Sequence, residues 1–331
     1  MANMSLIGSL HILRPGRLKA KERKRTLVDK RSDGSLWESW WDYQGISGPQ
    51  FWGFTNKAWV VCSKGRNQSP INVDPSNLLF DPTLSPLLLF GDLMTGTLRN
   101  NGHDITFSVQ HNGNPRYDGV NITGGPLSYT YRVDQIKFHF SLVDFEGSEH
   151  SIGKKSFPVE IQIFAYNTDL YANYSEAEAS PKGLAAIAVF AQVSDRTHKE
   201  FSVFQRAINT TQYKGDWTYV ERLRLRQLLP PTEQYVTYEG SITTPGCHET
   251  VTWLVYNRPI YISKKQLSIL RSLRQGTRYN PVMLMAPNIR PVQSLNQRTP
   301  RTNINFRERT CTMSQNMYYQ VNDQVSARDI R

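Results

Sequence analysis

Apolar and polar residues alternate in two runs near the middle of the chain, residues 133–143 and 157–166. Both runs are rich in Val, Ile and Phe, and partial alternation with a period of two predicts β-strands. Residues 144–155, which lie between the runs, contain two glycines and several charged residues, a composition that predicts a turn or loop. The pattern therefore predicts two strands joined by a polar connection.

Polar side chains occupy one face of each predicted strand. Successive side chains of a strand point to opposite faces, so Gln135, Lys137 and His139 share a face of the first strand. Glu160 and Gln162 share a face of the second strand by the same rule.

Three later segments have the spacing of helices. Residues 199–209 and 221–228 combine helical spacing with mixed charge, and Pro230 and Pro231 would end the second helix. Residues 263–273 have apolar residues at helical spacing, with Ser263 placed as the N-cap.

Composition sets the size of the core, and charge marks one segment as different. Of the 331 residues, 39% are hydrophobic and 11% aromatic, enough for one large domain or two smaller ones. The formal net charge is +11, and nine Lys or Arg residues fall within residues 14–31. Such a run predicts a solvated, disordered leader. Because no aromatic residue interleaves the basic ones, we expect no nucleic-acid partner.

The export signals of the sequence point in different directions. The first 13 residues lack the early charge and the unbroken apolar run of a secretory signal. No window approaches the roughly 18 apolar residues of a membrane helix, so we expect no membrane span. Three glycosylation sequons nevertheless favour an extracellular protein; they begin at Asn121, Asn173 and Asn209.

The chain has three cysteines, Cys62, Cys247 and Cys311. An odd number in a secreted protein leaves one over, and Cys311 in the C-terminal tail is the one left. It is either an unpaired surface thiol or the site of an intermolecular disulfide that links a dimer.

The central strands resemble those of the α-type carbonic anhydrases, whose first strand reads Q-x-H-x-H, whose loop holds G-S-E-H and whose second strand reads E-x-H. Gln135, the loop at residues 147–150 and Glu160 all match. Of the three histidines that bind zinc in that family, only His139 remains, because Lys137 and Gln162 stand at the other two positions.

The missing ligands decide what the resemblance implies about chemistry. A catalytic zinc needs three protein ligands and an open position for water. An ammonium has no lone pair to offer, and an amide oxygen is a poor ligand beside imidazole. We therefore expect no metal, no cofactor and no enzymatic activity.

Two hypotheses describe what Lys137 does in such a site. In the first, its ammonium fills the place of the metal and pairs with Glu160, with Gln162 bridging them, because a buried cation needs a partner. In the second, Lys137 is an anion hook in a small-ligand pocket. The first is preferred, since Glu160 would neutralise the hook.

Other positions match the family's catalytic network. The resemblance gives His103 the place of the proton shuttle, and it gives Thr243 and Glu149 the places that orient the zinc-bound hydroxide. With Lys137, His139, Glu160 and Gln162, they form a vestigial pocket. Its apolar wall corresponds to Ala186, Phe164, Ile242, Val251 and Trp253, where Phe164 replaces a smaller valine and narrows the pocket.

The resemblance also implies the fold and the domain limits. It covers residues 37–298 and predicts a single α+β domain on a large, twisted, mostly antiparallel sheet with peripheral helices. Residues 1–36 would be a basic leader and residues 299–331 a tail. Residues 183–194 match a buried strand, the aromatic cluster that begins at Trp37 packs the N-terminal arm, and a Cys62–Cys247 disulfide follows by resemblance.

The tail and the altered ligand positions resemble the secreted carbonic anhydrase-related subgroup numbered ten and eleven. That resemblance implies a non-catalytic extracellular ligand with a neurexin-type partner, and with the tail and Cys311 as contact elements. Two alternatives remain open. One is residual zinc-dependent hydration, or a weak metal-free esterase that uses His103 and Thr243; the other is a structural protein that dimerises through Cys311.

Overall fold

The computed structural model describes residues 40–111, 119–281 and 283–306. All of them belong to one compact unit of the chain. The fold confirms the expected class, because short helices surround one large sheet of mostly antiparallel strands.

The described residues form 15 strands and six short α-helices. In chain order the strands are β1 (Asn72–Val73), β2 (Leu79–Phe80), β3 (Leu87–Phe90), β4 (Leu93–Asn100), β5 (Ile105–Val109), β6 (Asn121–Gly124), β7 (Leu127–Phe140), β8 (Ser151–Ile152), β9 (Val159–Asn167), β10 (Leu184–Ser194), β11 (Trp217–Arg224), β12 (Tyr235–Gly240), β13 (Val251–Tyr256), β14 (Ile260–Ser263) and β15 (Arg301–Thr302). The helices are α1 (Trp52–Thr55), α2 (Val61–Lys64), α3 (Tyr174–Glu178), α4 (Phe201–Ile208), α5 (Leu225–Leu228) and α6 (Lys264–Arg271).

The main sheet has the spatial order β11-β4-β5-β7-β9-β10-β13-β12-β15-β2 among the described residues. β7 and β9 lie in its middle and pair antiparallel, whereas β10 and β13 pair parallel. The long strand β7 corresponds to the first predicted strand and β9 to the second. All nine residues of β9 are buried, as expected for a strand covered on both faces.

Two apolar clusters cover the two faces of this sheet. On one face, α4 places Phe201 and Phe204 against Phe138, with ring centroids 5.9 and 4.9 Å apart. On the other face, Phe164 packs against Trp253 at 5.7 Å. The polar side chains of β7 and β9 lie on this second face, so the candidate site is formed by residues of the sheet itself.

Two of the three predicted helices are confirmed. Residues 199–209 contain α4, and residues 263–273 contain α6. The Ser263 side chain accepts the N–H of Gln266, whose own side chain accepts the N–H of Ser263, which is a capping box.

The predicted helix at 221–228 is wrong over its first half. Residues 217–224 form the strand β11, and only Leu225–Leu228 are helical. The strand begins with Trp217, Thr218, Tyr219 and Val220, residue types that favour strands, and it pairs antiparallel with β4. Strand pairing therefore overrides the local helical spacing.

The disulfide implied by resemblance is confirmed, with Cys62 bonded to Cys247 across 185 residues of sequence. Around it, Trp52 is fully buried and Trp41 and Tyr43 stack edge-on against it at 5.4 and 5.8 Å. These three members of the aromatic cluster therefore pack against one another in the N-terminal arm.

The chain beyond residue 298 begins within the sheet. β15 pairs with β12 and β2, and Ile304 is fully buried. Trp37 and Cys311 lie outside the described residues. Within the described ranges, none of the helices has the length and apolar character that crossing a membrane requires.

Candidate functional site

The candidate site lies where β7 and β9 pair at the centre of the sheet. The register places Lys137 opposite Gln162 and His139 opposite Glu160. Directly opposed residues of an antiparallel pair share a face, so all four side chains start from the same surface. His139, Glu160 and Gln162 are completely buried, and the structure brings them together as predicted.

The Gln162 amide is the hub of the buried network. Its Nε2 donates to Glu149 Oε2 at 2.8 Å and to Glu160 Oε1 at 2.9 Å. Its Oε1 lies 3.1 Å from His139 Nε2 and accepts from Thr243 Oγ1 at 3.4 Å. The amide has two donors and two acceptor lone pairs, so these four contacts use its full capacity.

Both ring nitrogens of His139 face oxygen atoms. Nδ1 lies 2.7 Å from the Asn288 carbonyl oxygen, and Nε2 faces Gln162 Oε1. The opposite orientation of the amide would place Gln162 Oε1 against the two carboxylates, which is electrostatically unfavourable. The Nε2 atom of His139 therefore points at the side-chain oxygen of Gln162 and not at an open site.

Glu160 belongs to a second chain of hydrogen bonds. Its two oxygens lie 2.7 Å from His150 Nδ1 and 2.8 Å from the His150 backbone nitrogen. His150 Nε2 lies 2.6 Å from the Tyr238 hydroxyl, which bonds Ser69 Oγ at 2.9 Å. Burial alone would raise the pKa of the Glu160 carboxyl, but His150, His139 and the Gln162 amide hold that pKa below its usual value.

Glu149 connects the site to a buried arginine. Its Oε1 accepts the backbone N–H of Arg290 at 2.8 Å. The Arg290 guanidinium donates to the Ser69 carbonyl at 2.8 Å and to Gln68 Oε1 at 2.9 Å. Burial lowers the pKa of Arg290 to about 10. These acceptors bind its two terminal nitrogens, whereas its Nε atom is buried without a hydrogen-bond partner among the described residues.

The proposed ion pair between Lys137 and Glu160 is wrong. Glu160 is bonded to His150 and Gln162 instead. The Lys137 ammonium lies 5.7 Å from the centroid of the Phe164 ring, in cation–π contact. The physical reason is that His150 and the neutral Gln162 amide already satisfy both oxygens of Glu160, so the lysine has no carboxylate to neutralise there.

His103 lies at the rim, where the resemblance places the proton shuttle. Its ring stacks on Trp41 with centroids 4.0 Å apart. Its Nδ1 atom is buried and has no hydrogen-bond partner among the described residues. Burial, together with the nearby Lys214, lowers the pKa of His103, against a smaller opposing effect of Asp104.

Thr243 contacts the network, and the residues that the resemblance assigns to the apolar wall are buried. Thr243 is buried and its Oγ1 binds Gln162. The wall residues are all buried; they are Phe164, Ala186, Ile242, Val251 and Trp253. Phe164 fills part of the wall by packing against Trp253.

The residues present do not fit a zinc ion. The three positions offer one imidazole that is already hydrogen bonded, an amide oxygen and an ammonium, whereas zinc takes imidazole, thiolate or carboxylate ligands. No group of three His, Cys, Asp or Glu residues in the described part of the chain has a metal-binding arrangement. No catalytic step through a metal is derived for this site.

Sequence reasoning missed four residues of the network. They are His150, Tyr238, Asn288 and Arg290, all buried. His150 stands in the G-S-E-H match at residues 147–150. Asn288 and Arg290 stand in the N-x-R-P segment at 288–291, so the matched motifs were the signal that could have found them.

The three sequons differ in their surroundings. Asn173 is exposed and caps α3, accepting the Glu176 N–H at 3.0 Å, and Asn209 is exposed at the end of α4. Asn121 is half-buried in β6, where its side chain accepts from Arg132.

A large antiparallel sheet with this polar cluster defines the class of protein. The sequence model of the eukaryotic-type carbonic anhydrases matches residues 47–304, and the chain belongs to that family. It is 41% identical over 276 residues to a Caenorhabditis elegans protein described as carbonic anhydrase-like protein 2. That similarity covers 82% of this chain and 81% of the relative.

Proposed function

We propose that this chain is a non-catalytic carbonic anhydrase-related protein that acts by binding another protein. The observation that carries the proposal is the Gln162 amide, which bonds Glu149, Glu160, His139 and Thr243 at the same time. A buried amide with partners at both of its ends is held in one orientation. The centre is closed by side chains and offers no coordination site for a hydroxide.

The same bonds argue against the hydration of carbon dioxide. That reaction draws its nucleophile from water whose pKa a bound zinc lowers to about 7. Here the position beside Gln162 carries the Lys137 ammonium, which repels a cation. An esterase that uses Thr243 and His103 is not favoured either, because the Thr243 hydroxyl binds Gln162 and the His103 ring stacks on Trp41.

Restoring the ligands is the direct test. The native chain is expected to contain no stoichiometric zinc and to show no hydration activity, whereas a Lys137→His/Gln162→His double variant is expected to bind zinc. Zinc content is measured by mass spectrometry after dialysis, and hydration by stopped flow.

Gln135→His is the matched control. It adds a histidine to the same face of β7, away from the three positions that correspond to the zinc ligands of the family. It is expected to bind no zinc. Stoichiometric zinc together with hydration activity in the native chain would sink the proposal.

We infer an extracellular location for this function. A structural disulfide between Cys62 and Cys247 suits an oxidising compartment. Exposed sequon positions at Asn173 and Asn209 are compatible with glycosylation. The partner inferred by resemblance is an adhesion protein of the neurexin type, and the tail with Cys311 is the proposed contact element.

Cys311→Ser tests that contact element. If Cys311 links the chain to its partner or to a second copy, a non-reducing gel of the native chain with a neurexin ectodomain shows a high-mass band that the variant lacks. A band at twice the mass of the chain alone identifies a homodimer. Equal co-precipitation of both proteins with the ectodomain and identical gels would remove Cys311 from the proposal.

A further inference from the structure

One end of the main sheet carries two parallel rows of side chains that the buried network does not use. Directly paired residues across β11, β4, β5 and β7 define them. The first row runs Trp217, Arg99, Thr106, Lys137, and the second runs Tyr219, Thr97, Ser108, Gln135. Opposed residues share a face, so both rows lie on the face that holds the candidate site.

The inner part of the two rows lines a cavity of about 460 Å³. Its walls are the last three members of each row together with Asn101. Two of these side chains are cations, Arg99 and Lys137, and the remainder are hydroxyls and amides. No carboxylate is among them, so the cavity combines positive charge with many neutral hydrogen-bonding groups.

No carboxylate forms an ion pair with the cations of this cavity in the described part of the chain. Glu160 is bonded to His150 and Gln162 and does not pair with Lys137. Asp104, which is buried next to the cavity, accepts from Asn101 Nδ2 and Thr106 Oγ1. Arg99 and Lys137 are two strand spacings apart, about 10 Å at their Cα atoms. An oxyanion above Thr106 lies within reach of both side chains once the Lys137 ammonium turns away from the Phe164 ring.

The outer part of the rows is aromatic. Trp217 and Tyr219 are 59% and 45% exposed, although both are large and partly apolar. They stand two residues apart on β11, the outermost strand of the sheet, and so project from the same face. Flat aromatic rings in water offer an apolar surface to a ligand that passes on towards the polar cavity.

We infer that these two rows bind an acidic oligosaccharide, one that carries sulfate or carboxylate groups on sugar rings. The C–H faces of the sugars would lie on Trp217 and Tyr219, their hydroxyls would bond the Thr, Ser and Gln side chains, and an oxyanion would bridge Arg99 and Lys137 by charge-assisted hydrogen bonds. Stacking platforms and cations also occur in single-stranded nucleic-acid sites. The excess of neutral polar groups over cations and the disulfide favour a saccharide from an extracellular setting.

Calorimetric titration of the full chain with a sulfated heparin hexasaccharide, at fixed salt, tests the inference. Each of Arg99→Gln and Lys137→Gln is expected to weaken binding about ten-fold, the loss of one charge-assisted hydrogen bond. Trp217→Ala is expected to weaken it several-fold. Lys265→Gln and Phe145→Ala are the controls, because they remove an exposed charge and an exposed ring elsewhere on the surface. Both are expected to leave the affinity unchanged.

Three further ligands separate the possible sources of the oxyanion. The fully desulfated hexasaccharide is expected to bind at least ten-fold more weakly, and inorganic sulfate alone at least a hundred-fold more weakly. A single-stranded oligonucleotide that binds through the same residues more tightly than the hexasaccharide overturns the choice of ligand. Sulfate as tight as the hexasaccharide overturns the saccharide.

The variants also decide between this surface and the basic residues 14–31. If none of Arg99→Gln, Lys137→Gln and Trp217→Ala changes hexasaccharide binding, or if there is no binding, the inference is wrong. Arg99 is exposed, so Arg99→Gln is expected to fold normally. It therefore tests the inference even if Lys137→Gln fails to fold. The zinc measurement on the native chain is independent of this outcome, so the two proposals can fail separately.

Discussion

The Gln162 amide has opposite polarity at its two ends, and each end faces the partners that suit it. The NH₂ group lies between the carboxylates of Glu149 and Glu160, and the oxygen faces His139 and Thr243. Removing one partner from a buried polar network is costly because the remaining groups lose their bonds. A glutamine at this position avoids that cost, because both ends of its amide meet groups of the opposite hydrogen-bonding character.

His103 predicts a pH dependence at the residue scale. Burial lowers its pKa below the ordinary value near 6.5. Between the lowered pKa and 6.5 the unfolded chain binds a proton that the folded chain does not, so stability falls as the pH drops through this window. Urea unfolding at pH 8 and pH 5.5 should show a smaller loss of unfolding free energy for His103→Gln than for the native chain.

His198 serves as the comparison, because burial lowers its pKa as well. His198→Gln should remove a separate part of the same pH dependence. An unchanged pH dependence in His103→Gln would show that the imidazole of His103 is accommodated equally well in both protonation states.

At the level of elements, residue patterns predicted the central strands well. Alternation and β-branched or aromatic residues located β7 and β9, and side-chain parity correctly grouped Lys137 with His139 and Glu160 with Gln162. Helix α6 followed from its spacing and its cap at Ser263. These elements are decided by local periodicity and capping, which a sequence displays directly.

The strand β11 was not predictable in the same way. Its sequence combines Trp217 and Tyr219 with three charged residues among residues 221–224, and this latter half has the spacing of a helix. Pairing with β4, which is far away in the sequence, decides its structure. A pairing of that kind depends on tertiary context and is not written in the local pattern. This bears on the proposed binding surface. On a strand Trp217 and Tyr219 lie on the same face, whereas on a helix they would point in different directions.

The sequence predicted which residues form the candidate site better than it predicted the contacts between them. The matched motifs placed every residue of the vestigial pocket near the site, but not the hydrogen-bond partners within it. The attraction of opposite charges predicts a pair between Lys137 and Glu160. In the structure Glu160 contacts His150 instead. Several acceptable partners competed for one carboxylate, and only the three-dimensional arrangement selects among them.

At the scale of the whole molecule, the disulfide joins the N-terminal arm to the loop after β12. Cys62 on α2 and Cys247 are separated by 185 residues, and closing so long a loop restricts the unfolded chain strongly. We expect the Cys62→Ser/Cys247→Ser double variant to lose about 2–5 kcal/mol of unfolding free energy. Urea denaturation at neutral pH measures the difference.

Reduction of the native chain is the matched control, because it opens the same bond without changing a residue. Both samples should unfold at lower urea than the oxidised native chain. A change below about 1 kcal/mol, relative to the roughly 4–5 kcal/mol upper figure of the chain-entropy argument, would mean that the unfolded state keeps the two segments close without the bond.

The bonds of the Gln162 amide also bear on how the cell produces this protein. When a metal ion completes a protein centre, its binding free energy contributes to folding, and a shortage of the ion or a chelator destabilises the product. Here the chain makes the corresponding bonds itself, with Glu149, Glu160, His139 and Thr243 as partners. If the chain binds no zinc, as proposed, the yield of folded protein should not depend on the zinc supply in the compartment where the chain is made.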